Sequence, residues 1–228
     1  MKTSLLIIII LLLGNSSFGQ DEDARQGTAL ERDLLMRQYI LDLKEGILLV
    51  RLHTQKNTLE ALKQRGQNAA ADKIAAEQAQ ENLEIVKAFK DEFTFCPVYF
   101  FYSDESKALK AKDFGQVHFL DSTLQVANTK PLSEKHFLTA EFGTLSTDTV
   151  IYPVATPGDG EGGQKIFFQG STNDISALLV MNDELTQLQR PFPFYVRIFK
   201  GLPFERKKGK AVKRLDQKLN RYYEEVKS

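Results

Sequence analysis

Two strand-length apolar runs, Ile47-Leu48-Leu49-Val50-Arg51-Leu52 and Val98-Tyr99-Phe100-Phe101-Tyr102, bracket a long stretch of helix-forming sequence. That alternation limits the fold to the α/β and α+β classes. The first run has the aliphatic content of a core strand. The second follows Pro97, and proline is tolerated at the first residue of a strand. Between them, Asn57 is placed to cap a short helix from Thr58 to Arg65 that Gly66 ends, and Asn68 to cap a longer, alanine-rich helix to about Phe93. Ile74, Ile85 and Phe89 give the longer helix a sparse apolar face. Gln78 and Asn82 interrupt it, which predicts a helix lying on the surface of a sheet.

The flanking sequence completes the pattern. Thr28 and Glu31 form a capping box for an N-terminal helix, and Lys44-Glu45-Gly46 reads as the turn into the first strand. Ser103 is placed to cap a helix to about Ala111, with Asp104 and Glu105 near its positive end. Val117–Leu120, His136–Phe142, Val150–Tyr152, Ile166–Phe168, Ala177–Met181 and Phe194–Phe199 are further strand candidates, and Pro157–Gly163 breaks regular structure. From about Lys210 a closing helix carries Val212, Leu215, Leu219, Tyr222 and Val226 at alternating steps of three and four. Strands separated by helices early and clustered late predict a mixed β-sheet with helices packed on it and an amphipathic C-terminal helix. The late strand pair followed by a helix resembles thioredoxin-like topology, without the Cys-x-x-Cys redox pair.

The start of the chain carries an address. Met1-Lys2, the aliphatic block Leu5–Leu13 and the small residues Ser17 and Gly19 fit a secretory signal peptide cut after Gly19. A membrane span needs about 20 apolar residues, and Asn15, Ser16 and Ser17 interrupt first. The expected organisation is a signal peptide at 1–19, a polar, fraying segment at 20–27 and one domain at 28–228. The mature chain is expected to be soluble and exported, in the periplasm or outside the cell, with no membrane span. No N-x-[ST] acceptor follows the leader, which favours a bacterial envelope over a glycosylating route. Lysine plus arginine and aspartate plus glutamate both number 30, which speaks against a nucleic-acid binder. Cys96 is the only cysteine, so no internal disulfide staples the fold.

Candidate chemistry is sparse. Where parallel strands are joined by helices, functional groups gather beyond the carboxyl ends of the strands. His53 and Thr54 follow the first strand and Ser103 and Asp104 the second, so they are expected to share a rim. There His53 would serve as general base or hydrogen-bond donor, Asp104 would orient it and Ser103 would contact a ligand. The plainer account leaves Ser103 and Asp104 as helix caps and His53 in solvent. His118, His136, Asp121 and Glu141 are metal-ligand types without ligand spacing, so scattered structural histidines are favoured. Cys96 sits among Phe95, Pro97, Val98 and Phe100, an apolar setting that raises a thiol's pKa and silences it as a nucleophile. The Gly158–Gly163 loop lacks the Lys-Ser or Lys-Thr ending of a phosphate cradle, and Asp159 and Glu161 do not match a calcium loop. No pattern calls for a cofactor.

Arg206, Lys207, Lys208, Lys210, Lys213 and Arg214 cluster where the last helix is expected to start, and Lys218 and Arg221 continue along its polar side. This is a candidate interaction patch for an anionic envelope component or a partner protein; a solvated helix face is the plainer account. Pro191–Tyr195 and Gly201–Phe204 place aromatics beside prolines, the composition of packed core corners.

The run Ala88–Ser103, with Leu43–Leu52 before it, resembles exported proteins of unassigned function from Bacteroidota. That resemblance implies no activity, cofactor or site residue. Two expectations stand: a non-enzymatic binding protein of the cell envelope, or a hydrolase or transferase working at the rim of His53, Ser103 and Asp104.

Overall fold

The computed structural model describes residues 20–127, 136–145, 175–198 and 204–228. The leader, the strand candidates Val150–Tyr152 and Ile166–Phe168 and the loop Pro157–Gly163 lie outside the described residues. The element order is α1 (Gln20–Glu45), β1 (Ile47–Leu52), α2 (Lys56–Gln64), α3 (Asn68–Glu92), β2 (Val98–Tyr102), a 3-10 turn (Ser103–Glu105), α4 (Ser106–Lys110), a second 3-10 turn (Phe114–Gln116), β3 (Phe137–Thr144), β4 (Ser176–Met181), β5 (Tyr195–Arg197) and α5 (Phe204–Lys227).

The strands form one mixed sheet in the order β2-β1-β3-β4-β5. β1 runs parallel to β2 and β3, with Val50 opposite Phe100 on one side and Ala140 on the other. β4 is antiparallel to both β3 and β5. This is the mixed sheet with packed helices and a long C-terminal helix that the residue pattern predicts. The chain closes with the antiparallel pair β4-β5 followed by α5.

Alternation along the strands divides the core in two. Leu48, Val50 and Leu52 of β1 face one side with Phe100, Leu138, Leu178, Val180 and Val196. α1 covers that face with Met36, Ile40 and Leu43, α3 with Ile85 and Phe89, and α5 with Val212, Leu215 and Leu219. Each fully buried leucine or phenylalanine side chain there contributes about 1.5–3 kcal/mol. Ile47, Leu49 and Phe101 face the other way, onto Leu109 of α4 and onto Val117 and Phe119.

Several local expectations change. α1 begins at Gln20, so Thr28 lies inside the helix and does not cap it. Asn57 is likewise inside α2, whose N-cap is Gln55 in the left-handed region at φ 57°. Val117–Phe119 form no strand; Leu120 alone bridges Phe100 and Val126. Gln78 and Asn82 do not expose the middle of α3. They are 8% and 6% exposed, and α3 packs on α5 as well as on the sheet. Gly46 joins α1 to β1 at a point where a Cβ would overlap the carbonyl oxygens of His136 and Asp42, so the close passage of the segment before β3 against the end of α1 requires glycine.

Candidate functional site

The chain leaves β1 for the face carrying α3 and leaves β2 for the opposite face carrying α4. The carboxyl ends of these neighbouring parallel strands therefore form a point where connections diverge, the place where open α/β sheets hold ligands. Thr54 follows β1 there, and Ser103 and Asp104 follow β2. The three are joined. The Thr54 amide donates to Ser103 Oγ at 3.3 Å, the two hydroxyls are 3.4 Å apart, and Thr54 Oγ1 donates to Asp104 Oδ1 at 2.5 Å.

Ser103 and Asp104 consequently do not act as caps. Neither α4 nor the turn before it has a side-chain N-cap bond, and the Ser103 carbonyl accepts from Ser106 Oγ at 2.6 Å. Their polar atoms lace the end of β2 to the end of β1. His53 belongs to the same rim but turns elsewhere: its Nε2 lies 3.8 Å from Glu141 Oε2 of β3, and the same carboxylate oxygen is 2.9 Å from Arg51 Nη1. Asp104 is committed to Thr54 instead of orienting the imidazole.

The main chain of His53 is fixed from behind. Asn82 Nδ2 of α3 donates to the His53 carbonyl at 2.8 Å, and Gln78 Nε2 donates to Asn82 Oδ1 at 3.2 Å. This explains why two polar residues can be buried in the middle of α3, since hydrogen-bonded amides avoid the desolvation cost of unpaired ones. Asn82 and Arg51 act as positioning residues, a role that the sequence pattern alone does not assign to them. The available signal was polarity out of place: an arginine inside an aliphatic strand and an amide on a helix's apolar side.

The metal-ligand types separate. His118 Nδ1 meets Glu105 Oε1 at 2.6 Å, and Asp121 Oδ1 accepts from the amide and hydroxyl of Thr123 in a local turn that lowers its pKa. His136 is exposed at the opposite end of the sheet, and Glu141 pairs with Arg51. Among the described residues no three His, Cys, Asp or Glu side chains converge on a possible metal position. Cys96 is partly buried against the main core, and burial pushes its thiol up to about 12 despite the opposing charge of Lys44.

The basic cluster splits as well. Lys208 is 2% exposed; its Nζ lies 3.2 Å from Glu81 Oε1 and 3.6 Å from Glu84 Oε2 of α3. It therefore does not belong to a surface patch, because α5 starts at Phe204 and turns this position inward. Lys210, Lys213, Arg214, Lys218 and Arg221 are exposed, and the side chain of Arg206 lies outside the described residues. Lys213 reaches Glu92 at 3.8 Å and Lys218 donates to the Tyr195 carbonyl at 3.1 Å. Of the aromatic corners, Phe192 is buried and meets Tyr222 edge-on at 5.9 Å, an ordinary core contact; residues 201–203 lie outside the described residues.

No protein-family model, curated protein or solved structure matches this chain.

Proposed function

We propose that the chain is a non-enzymatic binding protein of the cell envelope that docks on an anionic envelope component through the outer face of α5. One observation carries this reading. Ala211, Val212, Leu215 and Leu219 hold the inner face of α5 in the core, and Lys210, Arg214 and Lys218 stand exposed at steps of four along the outer face, continued by Arg221, which pairs with Glu225 at 2.9 Å. Such a stripe concentrates positive potential on a rigid rod, which attracts an extended anion at low ionic strength. Export and residence in the envelope rest on the leader sequence.

The rim supports the reading by what it does with its polar groups. A hydrolase needs a nucleophile within reach of a base, whereas Ser103 Oγ is engaged by Thr54 and the imidazole of His53 lies beside Glu141.

Retention of the purified protein on extracted envelope material, measured at low and high salt, tests the proposal. Wild type is retained at low salt and released as salt rises, and Lys210→Glu/Arg214→Glu/Arg221→Glu loses retention at least tenfold with an unchanged circular dichroism melt. Equal retention of the folded triple variant overturns it.

A further inference from the structure

A cavity of about 350 Å³ opens at the other end of the sheet, where β1 and β3 begin. We infer that this cavity is a binding site for a small organic ammonium ion carrying an apolar group. The inference is independent of the α5 face.

The cavity is lined by polar and apolar surface in similar measure, with charged groups at its edges. Leu43 and Leu138 are buried at its base. Phe114 and Phe137 line it as an edge-to-face pair with centroids 6.0 Å apart, and Tyr39 of α1 adds a third ring. A volume of this size falls at the lower end of the range for small-ligand sites. Aromatic faces attract ammonium groups, and their rings receive the apolar part of the ligand.

The electrostatics select the sign. Asp42 and Asp183 both line the cavity, against the ammonium of Lys112 and the imidazole of His136. Asp42 lies in the last turn of α1, whose unpaired carbonyl groups give that end partial negative charge. Lys44, the basic residue of that turn, offers no compensation here. Its Nζ donates to the Phe95 carbonyl at 3.0 Å and lies over the Phe95 ring. Asp42 accepts from Gln38 Nε2 at 2.7 Å, which fixes its carboxylate and leaves further lone pairs for a cation.

Lys112 behaves as a displaceable stand-in for the ligand. Its backbone adopts φ 57°, a conformation that costs a non-glycine residue energy, and its Nζ lies 3.3 Å from Asp183 Oδ2. The pair is open to solvent, with side chains 61% and 35% exposed, so it holds weakly. An ammonium group anchored by the rings can take the place of Lys112 on Asp183 while Asp42 provides the second carboxylate.

Calorimetric titration of the full chain with benzylamine, and with benzoate as an anion of matching shape, provides the test. Benzylamine saturates one site and benzoate binds at least tenfold more weakly. Asp42→Asn, which keeps the Gln38 contact, lowers benzylamine affinity at least tenfold. Lys112→Met raises it severalfold, because the competitor for Asp183 is gone. The inference is overturned by benzoate binding as well as benzylamine, by no saturable benzylamine binding, by a folded Asp42→Asn protein with unaltered affinity, or by Lys112→Met weakening the binding. The triple α5 variant binds benzylamine like wild type, which separates this outcome from that of the envelope-docking proposal.

Discussion

Arg51 of β1 holds Glu141 of β3 at 2.9 Å, an ion pair between neighbouring parallel strands on the sheet face turned away from α3 and α5. Both side chains are mostly covered, at 24% and 14% exposure, and Arg51 Nε is buried with no hydrogen-bond partner. Such a pair contributes little net energy compared with apolar residues of similar shape, but removing one member leaves a charge in a poor solvent. Glu141→Gln should therefore destabilise the fold by about 2 kcal/mol. Arg51→Met/Glu141→Leu should recover most of that loss. Urea unfolding of Arg51→Met, Glu141→Leu and their combination measures the coupling; a Glu141→Gln midpoint equal to wild type would show that the pair contributes nothing.

Cys96 gives a pH dependence of defined sign. Its thiol is raised from 9.0 to about 12, with burial as the largest cause. Between those values the unfolded chain releases the proton that the folded chain retains, so stability falls as pH rises. The slope is about 1.4 kcal/mol per pH unit. Burial of Lys208 and Lys218 lowers their pKa values and gives the opposite slope near the ordinary lysine value of 10.5, but both residues remain in a Cys96→Ala protein and cancel in the comparison. The stability of wild type relative to Cys96→Ala should thus decline by about 2–3 kcal/mol between pH 9 and pH 11. A constant difference across denaturation curves at these pH values rejects a buried neutral thiol.

What the residue pattern revealed depended on whether the controlling interaction was local. β1, β2 and β4 were legible as apolar runs of strand length, and α5 from its stripe of Val212, Leu215 and Leu219, because burial of one face fixes the period of the pattern. The rim shared by Thr54, Ser103 and Asp104 was legible from the two strand ends, but the loss of the helix-cap role was not, because a serine after a strand has a local use and Ser103 takes a tertiary one. Its actual partner, Thr54, is distant in sequence and becomes adjacent only through the parallel pairing of β1 and β2. The burial of Gln78 and Asn82 is hidden for the same reason: the acceptor that makes it tolerable is the His53 carbonyl, which no helix periodicity reports. The cavity at the strands' amino ends was equally hidden, since Asp42 comes from the last turn of α1 and Lys112 and Asp183 from two separate connections.

Lys208 separates a basic residue of the interior from the basic residues of the surface. Its charge is surrounded by Glu81, Glu84 and the Glu81 carbonyl of α3, and its Nζ lies 5.8 Å from the Phe142 ring centroid. Lys208→Met removes the counter-charge from Glu84, whose side chain is only 16% exposed, and should cost about 3 kcal/mol. Lys210→Met, two residues away on the exposed face, should stay within about 0.5 kcal/mol of wild type. Adding Glu84→Gln to Lys208→Met should restore part of the loss, because the stranded carboxylate is then neutral. The pH sign also follows from burial, the largest influence on Lys208, which lowers its pKa below 10.5. As pH rises through that lowered value towards 10.5, the folded chain loses the proton first and the unfolded chain retains it, so wild type gains stability with pH. Lys208→Met lacks this gain, and the gap between the two proteins should widen in alkali. Thermal melts of the four proteins from pH 7 to pH 10.5 measure both effects, and equal losses for Lys208→Met and Lys210→Met would place both lysines in solvent.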